Sequence, residues 1–383
     1  MADAPELTSI TRSRTVNPLV AAWAFVIVVL VVGFIWLSLS SDSVPVNEAG
    51  HNMGNHDAQI SHESNIDITP AMPVPVPAIS VNESPVDDIP HNTQKKTPPA
   101  SSLSEETDDM PHKGISLPKA PIDGLTLAGA NGLLPVLGPD SRVAWKEYAR
   151  PVENLDDRPY IAIIVTGIGL NSKTTELAIK TLPGQIDFGF SPYGQQLQHW
   201  MNISREYGHE GFLMIPTEPL KYPENDPGPH TLMTGASQRD NLKKLDWLLS
   251  QVTGYVGVIN DMGSKFTASE EDILPVLNDL NARGLMMLDS RSTRFSRAAK
   301  LARRISMPRA FNNLYIDNIV SAAEITKNLT TLENTARTYG SAIGVARAYP
   351  LSIREIRKWS QELEGRGIQL VPITAIANRQ PIR

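Results

Sequence analysis

Residues 160–165 read Tyr-Ile-Ala-Ile-Ile-Val, an unbroken apolar run rich in β-branched side chains. This composition is typical of a strand buried on both faces, and such strands occur in parallel sheets that helices cover. The next segment, residues 172–182, has the apolar spacing of a helix. The sequence therefore predicts an α/β domain, which we place at residues 158–378.

The alternation of strand and helix continues to the end of this domain. Both a doubly wound open sheet and a closed barrel satisfy such a pattern. The strand number and the lack of a Gly-rich phosphate loop favour a (β/α)7–8 barrel. In either architecture, functional side chains are expected at the carboxyl ends of the strands. Further strands are predicted at residues 186–191, 211–215, 255–260, 285–289, 311–316, 341–345 and 368–371, and further helices at 195–207, 236–251, 270–283, 296–305, 321–339 and 352–364.

Residues 19–37 (LVAAWAFVIVVLVVGFIWL) form an uncharged, almost wholly apolar run. A helix of this length reaches roughly the thickness of the hydrocarbon core of a bilayer, so we predict a transmembrane helix at residues 19–39. Arg12 and Arg14 precede the run and acidic residues follow it. The positive-inside rule then places residues 1–18 in the cytoplasm and the domain in the periplasm, anchored to the inner membrane. A buried core helix and a cleaved signal peptide are the alternatives.

Residues 40–157 have the composition of a disordered Pro-rich linker. Pro73, Pro75 and Pro77 alternate along it, and Ser, Asn, Asp and Glu are frequent. Such a segment cannot bury enough apolar surface to offset the entropy lost on ordering. Its His residues are irregularly spaced, which favours ordinary linker residues over a metal-binding tract. Residues 125–145 are richer in Leu, Val and Gly, and are the part that we expect to pack on the domain as an arm.

The composition excludes several classes of protein. A hydrophobic fraction of 41% excludes a wholly disordered chain, and the absence of Cys excludes disulfide scaffolds, thiolate metal sites and cysteine nucleophiles. The net charge of −6 argues against nucleic acid as a partner, since binding would need a broad basic surface.

The His residues of the predicted domain are His199, His209 and His230, and their spacing matches no metal-binding motif. The predicted domain therefore lacks the histidines that a His-based zinc or iron centre would need. The sequence also lacks a G-x-S-x-G nucleophile elbow and a P-loop. We expect no metal site built on His and no cofactor.

Carboxylates follow several of the predicted strands. Asp261, Asp289 and Glu218 are the candidate catalytic residues, because carboxylates that converge at a barrel mouth bind hard cations, act as acid and base, or accept hydrogen bonds from sugars. The alternative for each is a structural role as a helix N-cap, since Asp or Ser often stands just before a helix. Asp317 is a further candidate for such a cap. Nearby polar residues are the candidate substrate-binding groups, namely Asn260, Ser264, Ser290, Arg291 and Thr166.

Three arginines also follow predicted strands, Arg291, Arg294 and Arg347. They would bind a carboxylate or phosphate on a cell-wall polymer if they line the mouth. Ordinary surface ion pairing is the alternative.

Several ordered blocks of this sequence resemble the divergent polysaccharide deacetylase family over residues 158–378. The resemblance implies a deacetylase-like (β/α) barrel of the bacterial cell envelope, related to metal-dependent sugar deacetylases. No single block is enough to indicate the family, but the order in which the blocks occur together is specific to it. The blocks are Ile161–Leu170, Phe190–Tyr193, Gly208–Glu210, Pro216–Pro219, Asp226–Pro229, Gly257–Thr267, Leu288–Ser290 and Gly365–Pro372.

The sequence departs from that family's pattern at the positions that would bind the metal. The resemblance places two acids where this chain has Thr166 and Gly167, and a His where it has Met214. A second His is replaced by Asp261, and a third, near the seventh strand, by Val345. Deacetylation in this family needs the cation to activate water and polarise the carbonyl. The resemblance therefore supports architecture more than activity.

Three hypotheses of function remain at this point. The first is a membrane-anchored envelope protein whose catalytically degenerate domain binds envelope glycan or a protein partner. The second is an active carbohydrate hydrolase that uses a carboxylate-only metal site or a metal-free acid and base pair. The third is a structural envelope scaffold.

Overall fold

The computed structural model describes residues 115–152 and 155–381 of the chain. Within this part, two strands form a hairpin and nine form one parallel sheet. The strands are β1 Thr126–Gly129, β2 Gly132–Pro135, β3 Tyr160–Ile168, β4 Asp187–Phe190, β5 Gly211–Thr217, β6 Gly257–Met262, β7 Met286–Asp289, β8 Arg309–Phe311, β9 Leu314–Tyr315, β10 Ser341–Arg347 and β11 Gln369–Leu370.

The parallel sheet curls until its two ends meet. Its order is β8-β7-β6-β5-β4-β3-β10-β9, with β11 paired to the start of β3. The end strands β8 and β9 are separated along the chain by Asn312 and Asn313 alone. Asn312 N donates to Asp289 O at 2.8 Å on one side, and Asn313 N donates to Ile343 O at 2.9 Å on the other. The fold is therefore a curled parallel α/β sheet that fits the predicted barrel, and its strand order, which winds in one direction from β3 to β8, is not that of a doubly wound sheet.

Helices alternate with the strands of the barrel. Asn171, Ser237 and Ser321 cap three of them, each with a side-chain oxygen that accepts a backbone N–H of the first turn. The helices are α1 Ala144–Glu147, α2 Ser172–Thr181, α3 Leu197–Glu206, α4 Gln238–Leu249, α5 Glu270–Ala282, α6 Ala298–Arg304, α7 Ala322–Tyr339 and α8 Pro350–Leu363.

The β3 strand lies at the centre of the core. Ile161, Ile163, Ile164 and Val165 have no exposed surface, and β3 pairs with β10 on one side and β4 on the other. Consecutive residues of a strand point to opposite faces, so both faces of β3 are buried. This confirms the interpretation of its apolar run.

The segment before the barrel is folded, which corrects the predicted linker boundary at residue 157. Leu125, Ala144 and Tyr148 of this segment are buried in the barrel's hydrophobic core. The fully buried Arg205 also donates to Pro118 O at 2.6 Å and to Tyr148 O at 3.0 Å. We call residues 115–152 the arm. The arm folds because the barrel supplies the apolar surface and the hydrogen-bond donors that its own composition lacks.

The arm packs at the amino-terminal end of the barrel strands. The Arg150 guanidinium donates to Gly208 O at 2.9 Å, and Gly208 lies just before β5. The arm therefore leaves the carboxyl ends of the strands uncovered.

The predicted membrane span at residues 19–39 and the predicted linker residues 40–114 lie outside the described residues. Among the residues that are described, no helix has the length and apolar character needed to cross a bilayer.

Candidate functional site

The strands of the barrel are parallel, so all their carboxyl ends open at one edge, which we call the mouth. The last residues of β3, β6 and β7 and the segments after β3, β5, β6, β7, β9 and β10 lie there, and the candidate site residues are among them. Their side chains differ in what they contact, and this separates framework residues from residues available to a ligand.

Asp261 is held in place by a network around its backbone. Its carbonyl accepts a hydrogen bond from Thr217 Oγ1 at 2.9 Å. The carbonyl of the next residue, Met262, accepts from Asn260 Nδ2 at 2.9 Å and from Ser292 Oγ at 2.6 Å. Met262 itself has a φ of +53°, a conformation that non-Gly residues adopt at a cost. The loop is thus fixed in a strained form that places Asp261 at the mouth.

The carboxylate of Asp261 is left without a side-chain partner. No side chain in the described part of the molecule donates a hydrogen bond to it, and the residue is half-buried. Burial raises its pKa, while the Met262 backbone N–H and the charge of Arg347 act in the opposite direction. This carboxyl is therefore oriented, partly desolvated and free to accept a ligand donor.

Two phenols share the environment of Asp261. Burial raises the pKa of Tyr315, the Ser290 hydroxyl lowers it, and the charges of Asp289 and Asp261 raise it further. Burial also raises the pKa of Tyr193, with contributions from Asp226 and Asp261. Both phenols stay protonated at neutral pH and can donate hydrogen bonds beside an acceptor carboxylate.

An aromatic wall extends from Tyr193. The Tyr193 hydroxyl accepts a hydrogen bond from His230 N at 3.1 Å, and its ring lies 6.1 Å from that of Trp247. His230 and Trp247 are stacked with centroids 3.5 Å apart and an interplanar angle of 3°. These contacts fix the loop after β5 against α4 on one side of the mouth.

Asn260 and Ser290 join neighbouring strand ends. Ser290 N donates to Asn260 Oδ1 at 2.8 Å, and Asn312 Nδ2 donates to Ser290 O at 3.1 Å. Both residues are buried. They act here as framework, and the Ser290 hydroxyl lies next to Tyr315.

Asp289 matches the capping alternative. Its Oδ1 accepts from Arg291 N at 2.9 Å, and its Oδ2 accepts from Ser296 Oγ at 2.8 Å and from Ala299 N at 3.2 Å at the start of α6. Only 1% of the residue is exposed. Both oxygens are engaged and shielded, so Asp289 is placed to hold the loop after β7 rather than to contact a ligand.

Glu218 and Ser264 connect loops of the mouth. Glu218 Oε1 accepts from Lys265 Nζ at 2.7 Å and its Oε2 from Thr234 N at 2.7 Å. Burial raises the pKa of Glu218, but these two partners outweigh it and the net shift is downward. Ser264 Oγ accepts from Leu220 N at 3.0 Å. The carboxylate of Glu218 is thus ion-paired and connects loops of the mouth, and it is not available as a second acceptor for a ligand.

Thr166 and Arg291 are also engaged within the protein. Thr166 Oγ1 donates to Ala346 O at 3.0 Å, across the β3–β10 pair. Arg291 has a φ of +49°, and its guanidinium lies 3.7 Å from the ring centroid of Phe311. Neither side chain is brought against Asp261.

The donor atoms at the carboxyl ends of β3 and β5 do not fit a divalent cation. Gly167 N, near the end of β3, donates at 3.3 Å to the sulfur of Met214 in the middle of β5, so a backbone amide and a thioether occupy these two positions. Hard cations take oxygen ligands, and zinc takes His, Cys or carboxylate ligands. No group of three or more His, Asp or Glu that could hold an ion occurs in residues 115–152 or 155–381.

Sequence reasoning did not single out Tyr193 and Tyr315 as site residues. Each lies within four residues of the end of a strand, Tyr193 after β4 and Tyr315 as the last residue of β9. A search for aromatic as well as acidic residues at strand ends would have found both.

Comparison with known proteins gives consistent results. Residues 163–377 match the model of the family described as divergent polysaccharide deacetylase. A crystal structure of an uncharacterized protein from Agrobacterium tumefaciens C58 is 40% identical, with a TM-score of 0.62 over 64% of this chain and 99% of that one.

Two uncharacterized proteins are more distant relatives. One, from Haemophilus influenzae, is 24% identical over 212 residues, which are 55% of this chain and 74% of that protein. The other, YibQ from Escherichia coli K12, is 22% identical over 223 residues, which are 58% of this chain and 68% of YibQ.

Proposed function

The chain belongs to the divergent polysaccharide deacetylase family, and from that premise we propose that it is a membrane-anchored envelope protein whose barrel binds a glycan at Asp261 without metal-dependent deacetylation. Its domain is deacetylase-like and related to carbohydrate-modifying enzymes. We propose the glycan-binding role, the membrane anchor and the loss of catalysis in addition to this family membership.

One observation carries the proposal. Among the candidate carboxylates of the mouth, Asp289 and Glu218 have both oxygens engaged by the protein, whereas Asp261 is partly desolvated and has no side-chain donor. The charge of Asp261 acts on the phenols of Tyr193 and Tyr315. An acceptor with two phenol donors in electrostatic range suits the hydroxyl and amide groups of a sugar, which both donate and accept hydrogen bonds.

The loss of catalysis is argued from the donor set. A metal-dependent deacetylase needs carboxylate and imidazole ligands at the mouth, and the corresponding strand ends present Thr166, Gly167 and Met214. Binding in this mouth therefore relies on hydrogen bonds and packing from the residues present.

The placement in the envelope is argued from the sequence. The apolar run at residues 19–37 and the basic residues before it support a single-pass anchor in the inner membrane with the barrel in the periplasm. The proposed partner is then an envelope glycan.

The test is a binding measurement with defined glycans. The full chain in detergent is titrated calorimetrically with N-acetylglucosamine oligomers and with peptidoglycan fragments. Asp261→Asn is expected to weaken binding about tenfold, because a hydrogen bond to a charged group contributes on the order of 1.5–3 kcal/mol. Asp140→Asn is the matched control, since Asp140 is an exposed acid of the arm and the same charge is removed there.

Two outcomes would contradict the proposal. Equal binding by the wild type and Asp261→Asn would remove Asp261 from the site. Acetate release from the same oligomers by the chain supplied with Mn²⁺ or Zn²⁺, abolished in Asp261→Asn, would instead establish the hydrolase.

A further inference from the structure

The segments after β7, β9 and β10 expose large apolar side chains. Phe295 is 64% exposed, Ile319 62%, Val320 48% and Tyr349 39%. We define the basic rim as residues 290–297, 316–321 and 347–349. Exposed apolar side chains grouped in this way mark interaction sites more often than scattered ones do.

The three segments of the basic rim are neighbours in space. β7 pairs with β8, β8 continues into β9 after two residues, and β9 pairs with β10. The segments after β7, β9 and β10 thus follow three adjacent positions of the barrel. Their exposed side chains form a patch at one side of the mouth.

The charge of the basic rim is opposite to that of the whole chain. The chain has a net charge of −6, yet these segments contain Arg291, Arg294, Arg297 and Arg347. Their one carboxylate, Asp317, has no exposed surface.

Most of these arginines are not ion-paired. Arg297 pairs with Glu270 at 2.9 Å. Arg291, Arg294 and Arg347 form no ion pair with any carboxylate in the described residues; they lie over the aromatic rings of Phe311, Phe295 and Tyr349 at 3.7, 4.7 and 5.7 Å. The ion-pairing alternative from the sequence therefore does not hold for these three. Their charge is available to an anionic partner.

The opposite side of the mouth provides the contrast. Leu220 is 71% exposed and Tyr222 38% exposed in the loop after β5. The exposed residues Lys221, Glu224 and Asp226 lie in the same loop, so one positive and two negative charges leave it with a net charge of −1. This side combines exposed apolar groups with a slight negative charge and lacks the attraction of the basic rim for an anionic surface.

We propose that the basic rim docks on the surface of an anionic lipid bilayer. Single apolar side chains on three separate loops can insert side by side into a flat, fluid surface. Basic side chains among them attract anionic headgroups, each by about 1 kcal/mol near the surface. Tyr and Phe next to Arg are well suited to the boundary between headgroups and acyl chains.

The arm leaves the basic rim accessible. It packs at the end of the barrel opposite the mouth, so no part of residues 115–152 lies between the rim and a bilayer surface.

The absence of Cys from the chain permits a clean experiment. Single-cysteine variants of the full chain, Phe295→Cys, Ile319→Cys and Leu220→Cys, are labelled with a polarity-sensitive fluorophore. They are mixed with vesicles of phosphatidylcholine alone or with phosphatidylglycerol added. Each position is exposed, so labelling leaves the core unchanged, and thermal unfolding of each labelled chain checks this.

The expected result depends on position and on lipid. The labels at 295 and 319 shift to the blue and are quenched by lipid-borne quenchers on phosphatidylglycerol vesicles, whereas the label at 220 stays in water. Adding Arg294→Gln to the Phe295→Cys chain lowers the ratio of bilayer-inserted to water-exposed label about fivefold, which corresponds to about 1 kcal/mol.

Two results would overturn the proposal. One is no shift at positions 295 and 319 on anionic vesicles, which includes the case in which the rim binds a protein or a soluble glycan instead. The other is an equal shift at position 220, which would indicate nonspecific adsorption. Neither result bears on glycan binding at Asp261, so this proposal and the proposed function fail separately.

Discussion

The two ends of the barrel both bury carboxyl groups, and they use them differently. At the amino-terminal end, Asp187 and Glu210 are fully buried, and backbone and side-chain groups of other segments donate to one oxygen of each. At the mouth, Asp261 is half-buried and its carboxylate has no side-chain partner in the described residues. Burial raises the pKa of all three carboxyls. A raised pKa is therefore not by itself a sign of function.

The buried pair at the amino-terminal end joins three separate segments. Glu210 Oε1 accepts from Arg150 N at 2.7 Å in the arm and from the Thr374 hydroxyl near the carboxyl terminus. Asp187 Oδ2 accepts from Ile373 N at 2.8 Å. The remaining oxygens, Asp187 Oδ1 and Glu210 Oε2, have no donor among the described groups, and the two carboxyls bond each other when one is protonated.

The difference lies in where the partners come from. A carboxyl that accepts hydrogen bonds from the arm and the carboxyl-terminal segment contributes to stability, whereas one at the mouth with no side-chain donor is available to a ligand. Each of the following predictions tests this division.

The largest expected effect is on stability, from Glu210→Ala. The variant leaves Arg150 N and the Thr374 hydroxyl without an acceptor and Asp187 without its partner. Breaking a buried charged network costs about 3–5 kcal/mol, which urea unfolding would measure. Glu210→Gln is the control, because its amide oxygen still accepts from Arg150 N and the Thr374 hydroxyl and its amide nitrogen can donate to Asp187. If the free energy of unfolding of the alanine variant falls by less than about 1 kcal/mol, Glu210 does not hold these segments together.

A smaller loss is expected from Asp289→Ala. Three hydrogen bonds to its carboxylate disappear, from Arg291 N, Ser296 Oγ and Ala299 N. Because these donors become partly buried without acceptors, the free energy of unfolding should fall by about 2–3 kcal/mol. Asp289→Asn, which retains one acceptor oxygen, should lose less. If instead stability is unchanged and glycan binding is lost, Asp289 belongs to the site.

Apolar patterning predicts most of this fold. The run at residues 160–165 forms a strand buried on both faces. This was predictable because consecutive apolar side chains can be read directly from the sequence. The arm was harder to predict. Its burial depends on Arg205, which lies 87 residues from Pro118 and 57 from Tyr148 along the chain.

The candidate site was predictable only as a set of strand ends. Asp261, Asp289 and Glu218 look alike in the sequence, as carboxylates that follow apolar strands. What separates them is the loop conformation that brings Ser296 to one and Lys265 to another. Such contacts depend on backbone angles, for instance the positive φ of Met262, that composition does not encode.

The pH dependence of stability tests the amino-terminal pair. Burial raises the pKa of Glu210 to about 7 from an ordinary value of 4.5, so the folded state holds a proton that the unfolded state loses, and stability falls as pH rises between these values. Burial lowers the pKa of His209 to about 4 from 6.5, so stability rises with pH across that interval.

These two slopes oppose each other in the wild type between about pH 4.5 and 6.5. Glu210→Gln removes the part of the falling contribution that belongs to Glu210, while Asp187, whose pKa burial also raises, keeps its own. The stability of the variant should therefore rise with pH over this range more steeply than that of the wild type. Urea unfolding at a series of pH values measures the difference, with a slope of up to about 1.4 kcal/mol per pH unit for one proton. Parallel profiles for the two chains would show that Glu210 does not titrate here.

The smallest effect on stability is expected at the mouth, from Asp261→Asn. Burial disfavours the ionised form of this carboxyl and raises its pKa, so folding is less favourable when Asp261 is charged. A neutral amide of the same shape should therefore raise the free energy of unfolding at neutral pH, by about 0.5 kcal/mol, and the gain should vanish as the pH falls through the carboxyl range. A loss comparable to that of Asp289→Ala would mean that the protein does fill the acceptors of Asp261, and the contrast between the two ends of the barrel would then disappear.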